Sequence, residues 1–597
     1  MSTPDSHSVV EQFNVAEGGF TTRPVIMGRK GVVTSGHYLA TGIGMRALEK
    51  GGNAMDATAA MGFALTVLEP QINGIGGEVP ILVYSAKEEK AFAISGQGWA
   101  PKAMTIDWFR TNDLSLIPGD GLLPAMVPAS VDAWIQLVAR FGKLTLADVL
   151  GPAVELARDG FPMYPGLQNG ISSNASRFRE EWPTSAEIFL PGDEVPDVGQ
   201  NFIQSDWANS FQKLLDAESA NSSKSREAAL QAARDEFYKG DITKRIEEFS
   251  QGNEFRDATG RSHSGFISYD DFADYEGAVE EPWNTNYRGL EVHKCPSWTQ
   301  GPVQLQLLNL LEGYDLASMG HNSVDYIHTW IECAKLAFAD RESHYGDPRF
   351  VDVPAGRLLS KEYAAERREL IDPEKADRSE LRPGGENDGL PAPVSSDLGT
   401  GFDHDTTHLD AIDGEGNMVA ATPSGGWIPS SPVVAGLGFP LGTRGQMFSL
   451  NPDHPNSLQP GKRPRTTLTP SLVTKDGRPF MVYGTPGGDQ QDQWTNQYFL
   501  SFVDFGMNVQ AALDAPTFHS QHFPGSFFPR SSKPGHMVIE SRIPESVRNE
   551  LESRGHIVNV SSDWSHGRCL AIWRDEKTGT IYGGASPRLG TGYAMGW

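Results

Sequence analysis

The chain has 597 residues, of which 39% are hydrophobic and 21% charged, as in large globular proteins. Its 50 basic and 76 acidic residues give a formal net charge of −26 at pH 7, which repels nucleic-acid backbones and anionic lipid surfaces and argues against both as partners. Three scattered cysteines argue against a disulfide framework or a thiolate metal site. Because no apolar stretch has the length of a signal-peptide core or a membrane span, we expect a soluble cytoplasmic protein.

The predicted elements begin with a strand over 31–35, which leads into two helices over 42–50 and 55–68. Small residues crowd the second helix, so we expect it to be buried against a neighbouring layer. Segment 70–78 contains Gly-Ile-Gly-Gly and is predicted to be a loop, and 81–84 has the apolar pattern of a strand. The N-terminal part is therefore expected to combine strands with packed helices.

The middle of the chain, about 125–345, is predicted to be a helical elaboration. Within it, 212–250 is rich in charge and expected to be solvated, whereas 324–341 has apolar positions at i, i+3, i+4 and i+7 and is expected to be well packed. Residues from about 373 to 405 are rich in Pro, Gly, Ser and acidic side chains, and they have too few apolar side chains to offset the entropy of ordering. This segment is predicted to be a flexible linker.

A β-hairpin is predicted to begin immediately at Thr406, with strands over 406–412 and 418–422 around a turn at 413–417. Further short strands are predicted at 471–474, 480–483, 538–540, 557–560, 570–573 and 580–583. The last third of the chain is therefore expected to be rich in strands.

The junction between the linker and the hairpin has a specific chemical use. If the Asp405–Thr406 bond is cut, Thr406 becomes an N-terminal residue with a hydroxyl and a free α-amine a few ångströms apart. An α-amine has a pKa of about 7.7–8.0, so near neutrality part of it is unprotonated and accepts the hydroxyl proton. The alternative is that Thr-Thr is simply the β-branched start of a strand.

Three other segments offer the remaining parts of such a site. Gly487 and Gly488 follow a predicted strand and offer unencumbered N–H groups for an oxyanion hole, although a tight turn explains them equally well. Segment 462–470 offers hydroxyls beside basic residues, or is a solvated loop. Thr422 and Ser424 end the second strand of the hairpin and return hydroxyls toward its start, unless they are ordinary polar residues at a strand end.

Six short motifs occur along the chain: GGNAMDA at 51–57, GIGG at 74–77, KLAFADR at 335–341, TTH at 406–408, PGG at 486–488 and ASPR at 585–588. Their order over roughly residues 30–597 resembles the γ-glutamyltransferase family of N-terminal nucleophile hydrolases. The resemblance implies an α/β (α+β) fold, a four-layer αββα sandwich.

The same resemblance implies one precursor that cuts itself into a large chain, 1–405, and a small chain, 406–597. The two chains associate as one catalytic domain, in which the large chain contributes an N-terminal segment 1–30, the helical elaboration and the linker. A small-molecule amide is the expected substrate, no cofactor or metal is implied, and a further homo-oligomer is left open.

The resemblance also implies roles for individual residues. Thr406 is the expected nucleophile, Gly487 and Gly488 are the expected oxyanion donors, and Ser424 takes the position of a Thr that assists processing and the nucleophile. Substrate contacts are expected from Gln97, Thr422, Arg444, Met447, Thr466 and Thr467. Thr466 and Thr467 stand at two Ser positions that hold the substrate carboxylate in the family.

Three substitutions depart from the glutathione-cleaving members. Gln97 replaces an Arg that binds the glutamyl carboxylate, Met447 replaces an Asp that holds its amino group, and Gly426 replaces a nearby Asn. Each buried charge-assisted contact contributes roughly 1.5–3 kcal/mol, so losing both charged partners removes several kcal/mol of selective binding. We therefore expect an amidohydrolase or acyltransferase whose acyl group is not an ordinary γ-glutamyl moiety.

The sequence indicates what could bind such an acyl group instead. Trp99 and Trp427 lie beside positions expected to line the pocket and offer apolar walls, although each Trp is equally typical of a core. Arg444 offers a partner for a single carboxylate, unless it pairs with a structural acid.

Three alternatives remain open at this point. The first is a true γ-glutamyltransferase or glutathione hydrolase. The second is a metal-dependent amidohydrolase, since His404 and His408 lie at i, i+4 beside Asp403 and Asp405, although no third ligand is evident. The third is a processed but non-catalytic ligand-binding protein.

Overall fold

The structure is a computed structural model that describes residues 20–379, 381–385 and 406–597. Asp403, His404 and Asp405, together with much of the predicted linker, lie outside the described residues. Within the described ranges, no helix is both long and apolar enough to cross a lipid bilayer.

The helices are numbered in chain order. They are α1 Tyr38–Glu49, α2 Ala54–Leu68, α3 Ile106–Thr111, α4 Ser130–Phe141, α5 Leu146–Asp159, α6 Pro165–Glu180, α7 Pro183–Phe189, α8 Ser205–Asn221, α9 Arg226–Lys239, α10 Asp241–Gly252, α11 Tyr269–Ala273, α12 Pro302–Leu311, α13 Leu316–Met319, α14 Val324–His344, α15 Ala355–Leu358, α16 Lys361–Arg368, α17 Gln491–Val503, α18 Val509–Asp514 and α19 Glu545–Ser553. The predicted helices near 42–50, 55–68 and 324–341 and the helical pattern of 212–250 are thereby confirmed.

The strands are numbered in the same way. They are β1 Ile26–Gly28, β2 Gly31–Ser35, β3 Ile81–Ser85, β4 Lys90–Ser95, β5 Phe161–Pro162, β6 Asn201–Phe202, β7 Phe255–Arg256, β8 Ser262–His263, β9 Ala278–Glu280, β10 Trp283–Tyr287, β11 Leu290–Lys294, β12 Leu409–Asp413, β13 Met418–Ala421, β14 Ser471–Lys475, β15 Arg478–Gly484, β16 Phe518–Ser520, β17 His536–Glu540, β18 Ile557–Ser561, β19 Leu570–Arg574, β20 Ile581–Ala585 and β21 Tyr593–Gly596.

Two antiparallel seven-stranded sheets form the centre of the molecule. Sheet I has the strand order β1-β20-β19-β15-β14-β11-β10, and sheet II has the order β21-β2-β12-β13-β3-β4-β9. Apolar side chains from both sheets meet in one buried layer, which includes Val32, Leu82, Ile412, Met418, Leu472, Val482 and Ile572. The two sheets are therefore stacked face to face.

A helical layer covers the outer face of each sheet. Helices α1 and α2 share a core with the outward residues of sheet II, and α12, α14 and α17 share another with those of sheet I. Asn53 caps the N-terminus of helix α2: its side chain accepts from the N–H groups of Met55 and Asp56, while the Asp56 side chain accepts from the N–H of Asn53. These layers confirm the predicted four-layer αββα sandwich.

The hairpin and the helical elaboration differ in detail from the prediction. Strand β12 begins at Leu409 rather than at Thr406. Pro423, which lies opposite Thr407, has no N–H, so the regular hydrogen-bond ladder between the two strands cannot continue past it. Instead, the N–H of Thr407 donates to the carbonyl of Pro423 at 3.2 Å. The middle segment also contains strands, and two of them, β10 and β11, form one edge of sheet I.

Candidate active site

Thr406 lies just before strand β12, where it forms an isolated antiparallel bridge with Ser424. Its Oγ1 lies 3.2 Å from the Ser424 Oγ. Both residues are buried, with Thr406 only 1% exposed. The hairpin therefore places a second hydroxyl beside the predicted nucleophile, as the sequence pattern suggested.

Arg444 approaches the same hydroxyl from a neighbouring loop. Its Nη2 donates to Ser424 Oγ at 2.8 Å, and its Nε donates to the carboxylate of Glu78. Burial raises the pKa of Glu78, and the guanidinium of Arg444 opposes this rise. Arg444 thus pairs with a structural acid, and only its buried Nη1 has no hydrogen-bond partner among the described residues.

Gly487 and Gly488 occupy the turn between strand β15 and helix α17. Their φ angles are +129° and +54°, which favour glycine. A Cβ on Gly487 would lie 2.2 Å from the Trp494 ring, so glycine is also required there by close approach. Neither N–H donates to another residue within the described ranges. The turn therefore presents two N–H groups that remain available to an oxyanion.

The predicted substrate-contacting residues lie on loops that are hydrogen-bonded to one another. The N–H of Ala100 donates to the carbonyl of Lys462 at 3.0 Å. The N–H of Val127 donates to the carbonyl of Trp99 at 3.3 Å, and the N–H of the preceding residue, Met126, donates to that of Gly442 at 3.0 Å. These bonds connect the loop that contains Gln97 with the segment 462–470 and the turn that contains Arg444 and Met447.

Several of the predicted contact residues are buried without partners. Both polar atoms of the Gln97 amide and the hydroxyl of Thr467 have no hydrogen-bond partner within the described ranges. Met447 is also buried, at 1% exposure. Because buried polar groups are normally paired, the Gln97 amide and the Thr467 hydroxyl are candidates to bind a ligand.

Thr422 and Thr466 make hydrogen bonds within the protein. The Thr422 hydroxyl bonds to His408 Nδ1 at 2.9 Å. The Thr466 hydroxyl accepts from the N–H of Leu468 at 3.4 Å. Their expected roles in substrate binding stay predictions.

Two aromatic rings lie near the guanidinium of Arg444. The centroids of the Trp427 and Phe527 rings lie 5.3 and 5.4 Å from the Arg444 Cζ. A Cβ on Gly488 would lie 3.2 Å from the Phe527 ring, so this ring also borders the oxyanion turn. Trp99 instead packs against Tyr275, with ring centroids 5.1 Å apart, and so contributes to the protein interior as well.

His408 belongs to a buried chain of polar groups rather than to an open ligand set. Its Nδ1 bonds to Thr422 and its Nε2 bonds to Asp410 Oδ1 at 2.9 Å, and Asp410 also accepts from Thr34 at 3.1 Å. Burial raises the pKa of Asp410, and His408 opposes this rise. Since both ring nitrogens are engaged, the metal-binding alternative proposed for His408 finds no support here.

Among the described residues, His328, Glu332 and His556 form the one group with metal-ligand spacing. Lys335 Nζ lies 2.6 Å from Glu332 Oε1 and already neutralises this carboxylate. Burial, followed by the charge of Lys335, lowers the pKa of His556 to about 2. The positive charge of Lys335 beside this group opposes the binding of a cation.

Sequence reasoning missed Glu78, Phe527 and Asp410 as parts of the site. Glu78 follows the GIGG motif within a buried apolar run, and a carboxylate in such surroundings must find a cation or a proton. The sequence therefore indicated that Glu78 needs a partner, but it did not identify Arg444 as that partner. Phe527 lies in a segment without a recognisable pattern.

Comparisons with known proteins agree with this architecture. The family model described as Gamma-glutamyltranspeptidase matches residues 40–597. The Glutathione hydrolase-like YwrD proenzyme of Bacillus subtilis (strain 168) is 33% identical over 575 residues, which cover 96% of this chain and 99% of the relative. Its name describes a proenzyme, as expected for a protein that is processed.

Two solved structures match nearly the whole chain. The structure of LmbA2991HD has a TM-score of 0.92 at 43% identity and covers 97% of this chain and 100% of that one. A cephalosporin acylase from Bacillus halodurans has a TM-score of 0.82 at 31% identity and covers 97% and 98%. The chain therefore belongs to the γ-glutamyltranspeptidase family and is an amide hydrolase or acyltransferase with the N-terminal nucleophile hydrolase fold.

Proposed function

We propose that the precursor cuts itself between Asp405 and Thr406 and that the freed Thr406 then cleaves an amide through an acyl-threonine intermediate. The observation that carries this proposal is the contact between Thr406 Oγ1 and Ser424 Oγ at 3.2 Å. The Phe527 ring connects this contact to the oxyanion turn, because it borders both Arg444, which donates to Ser424, and Gly488.

The catalytic cycle follows from these groups. The Thr406 Oγ attacks the amide carbonyl carbon, and the α-amine of Thr406 takes the hydroxyl proton. The N–H groups of Gly487 and Gly488 bind the resulting oxyanion. The ammonium then gives its proton to the leaving amine as the C–N bond breaks, and water or an acceptor amine releases the acyl group from the ester.

The two chains remain associated after cleavage because their strands alternate within both sheets. In sheet II, β12 of the small chain pairs with β2 of the large chain, and β13 pairs with β3. In sheet I, β14 of the small chain pairs with β11 of the large chain. Separation of the chains would break both sheets. Further homo-oligomerisation stays a prediction.

The acyl group is proposed to carry at most one carboxylate and no γ-glutamyl zwitterion. Gln97 and Met447 provide no fixed charges, whereas the Nη1 of Arg444 offers one donor, unpaired within the described part of the chain, on a guanidinium that lies near the rings of Trp427 and Phe527. Because Arg444 is already paired with Glu78, this donor suits a carbonyl, a hydroxyl or one carboxylate. The name of the cephalosporin acylase relative also supports an acyl group other than γ-glutamyl.

A cytoplasmic location is proposed on the state of the cysteines. Cys295, Cys333 and Cys569 are free and buried, and none forms a disulfide within the described ranges. Free thiols of this kind are typical of a reducing compartment.

The proposal is tested on the purified protein in three steps. Intact mass and N-terminal sequencing should find two chains, 1–405 and 406–597, and Thr406→Ala should abolish both cleavage and activity. A panel of γ-glutamyl, glutaryl, oxamate-like and aromatic acyl anilides should show the weakest turnover for the γ-glutamyl substrate. A small chain that starts at another residue would place the nucleophile elsewhere. Robust γ-glutamyl transfer from glutathione would identify a true γ-glutamyltransferase.

A further inference from the structure

Arg341, the last residue of the KLAFADR motif, reaches the oxyanion turn from helix α14. It has no exposed surface. Its Nη1 donates to the carboxylate of Asp489, which directly follows Gly488, and to Gln300 Oε1 at 2.9 Å. This buried guanidinium takes no part in the proposed catalytic cycle.

Gln300 extends this connection to the backbone of the turn. Its Nε2 lies 3.4 Å from the carbonyl oxygens of both Gly488 and Asp489. Its own N–H donates to the carbonyl of Thr466 at 2.8 Å. Gln300 therefore joins the oxyanion turn to the segment expected to hold the substrate carboxylate.

Asp489 also fixes the aromatic wall. It accepts from the N–H of Ser526 at 2.8 Å and from the Ser526 hydroxyl at 2.6 Å, and the next residue is Phe527. Arg341 holds the same segment directly, because its Nη2 donates to the carbonyl of Pro524 at 2.9 Å. One guanidinium thus organises both sides of the acyl site.

The charge of Arg341 is compensated where it lies. Burial would lower its pKa, but the carboxylates of Asp489 and Glu342 outweigh this effect and raise it. Glu342 lies 2.8 Å from Arg341 Nη2. Since the removal of one partner of a buried pair leaves the other uncompensated, the position tolerates little change.

We propose that Arg341 and Gln300 are positioning residues that hold Gly487 and Gly488 so that their N–H groups face the carbonyl attacked by Thr406. This inference rests on the proposed function. An oxyanion hole acts at fixed distances of about 2.7–3.1 Å and must be formed before the charge develops. Because glycine adopts many backbone conformations with similar ease, the turn needs external bonds that hold its two glycines in one of them.

The test compares Arg341→Lys and Gln300→Met with the wild-type protein. Lysine keeps a positive charge near Asp489 but cannot bind Gln300 and Pro524 together, and methionine keeps the shape of Gln300 without its hydrogen bonds. We expect kcat for the best anilide of the panel to fall at least tenfold in each variant, with KM changed less than threefold. The double variant should lose less than the product of the two single losses.

The affinity for a tetrahedral adduct distinguishes a positioning role from a merely structural one, because the loss of a structural contact alone would leave this affinity unchanged. Phenylboronic acid should bond to Thr406 Oγ, and its affinity should fall in both variants by about the same factor as kcat/KM. Arg588→Lys is the matched control, because Arg588 forms another buried pair, with Glu540, and makes comparable bonds to backbone carbonyls. It should lower the melting temperature without changing boronate affinity.

The outcomes separate the two proposals. If the wild-type protein forms the adduct and turns over an anilide, but both variants match it in kcat and boronate affinity, the positioning role is overturned and the proposed function stands. Losses in kcat that leave boronate affinity unchanged would also overturn the positioning role. If the wild-type protein forms no adduct at Thr406 and hydrolyses no amide, both proposals are overturned.

Discussion

The Ser424 hydroxyl lies between Thr406 and Arg444, with its Oγ 3.2 Å from Thr406 Oγ1 and 2.8 Å from Arg444 Nη2. An oxygen that accepts from a guanidinium becomes a better hydrogen-bond donor itself. Ser424 is therefore placed to donate to Thr406 Oγ when that oxygen loses its proton and attacks. Arg444 supports this donation although it does not contact Thr406.

Ser424→Ala should slow both self-cleavage and turnover by about 10- to 100-fold, because one donor to the nucleophile is lost. Ser424→Thr, which restores the hydroxyl, should recover most of both rates. The rates are measured from the appearance of the small chain and from anilide hydrolysis. The control is Ser210→Ala, which removes a buried serine hydroxyl bonded to the carbonyl of Leu437 in the helical layer. Wild-type rates in Ser424→Ala would remove Ser424 from the mechanism.

The double variant Gln97→Arg/Met447→Asp should raise kcat/KM for a γ-glutamyl anilide at least tenfold, because it restores both charges that recognise the glutamyl zwitterion. A charge-assisted contact contributes about 1.5–3 kcal/mol, which corresponds to roughly 10- to 100-fold in binding. Both positions are buried, so some loss of thermal stability is also expected.

The control for this experiment is Gln97→Met/Met447→Leu, which keeps similar volumes and adds no charge. It should leave γ-glutamyl turnover unchanged. If the charged variant gains nothing while it remains folded, then Gln97 and Met447 do not face the acyl group, and the proposed specificity loses its basis.

Dialysis against a strong chelator should leave the rate within twofold of the untreated enzyme. His408 has both ring nitrogens in hydrogen bonds of 2.9 Å. In the group formed by His328, Glu332 and His556, the Glu332 carboxylate is already paired with Lys335. The rate is compared before and after dialysis, with a zinc metalloprotease treated in parallel as the positive control. Loss of activity that zinc restores would require a metal-dependent mechanism.

The local parts of this molecule could be predicted from the sequence, and the long-range parts could not. Strands such as Gly31–Ser35 and Ile81–Ser85 are apolar runs between turn residues, and the hairpin register placed Ser424 near Thr406. In contrast, β10, Trp283–Tyr287, mixes polar and aromatic residues at a sheet edge, where one side of the strand is exposed and the pattern is weak.

The charged partners show the same limit more clearly. Glu78 and Arg444 are 366 positions apart, and nothing in either local sequence specifies the pairing. Arg341 and Asp489 are separated by 148 positions. Such pairs are determined by how the layers pack, so single-sequence reasoning found the motifs but not the connections between them.

Glu69→Gln should make the protein more stable at neutral pH than the wild type. Glu69 is buried at the end of helix α2, where a Cβ on Gly36 would lie 2.8 Å from its carboxylate and 2.3 Å from the Thr407 hydroxyl. Burial raises the pKa of Glu69 to about 7 from an ordinary value of 4.5, although Thr407 and Arg568 oppose the rise. The folded state therefore binds a proton more tightly than the unfolded state.

The sign of the pH effect follows from this difference. The contribution of Glu69 to stability is most favourable below pH 4.5, decreases as the pH rises to about 7, and is constant above that value. Glutamine does not titrate, so the advantage of Glu69→Gln should grow between pH 5 and 7 and reach at most about 3 kcal/mol. Urea unfolding or melting temperature at pH 5, 6, 7 and 8 measures it, with the exposed Glu49→Gln as control. A constant difference from the wild type across this range would show that Glu69 does not titrate there.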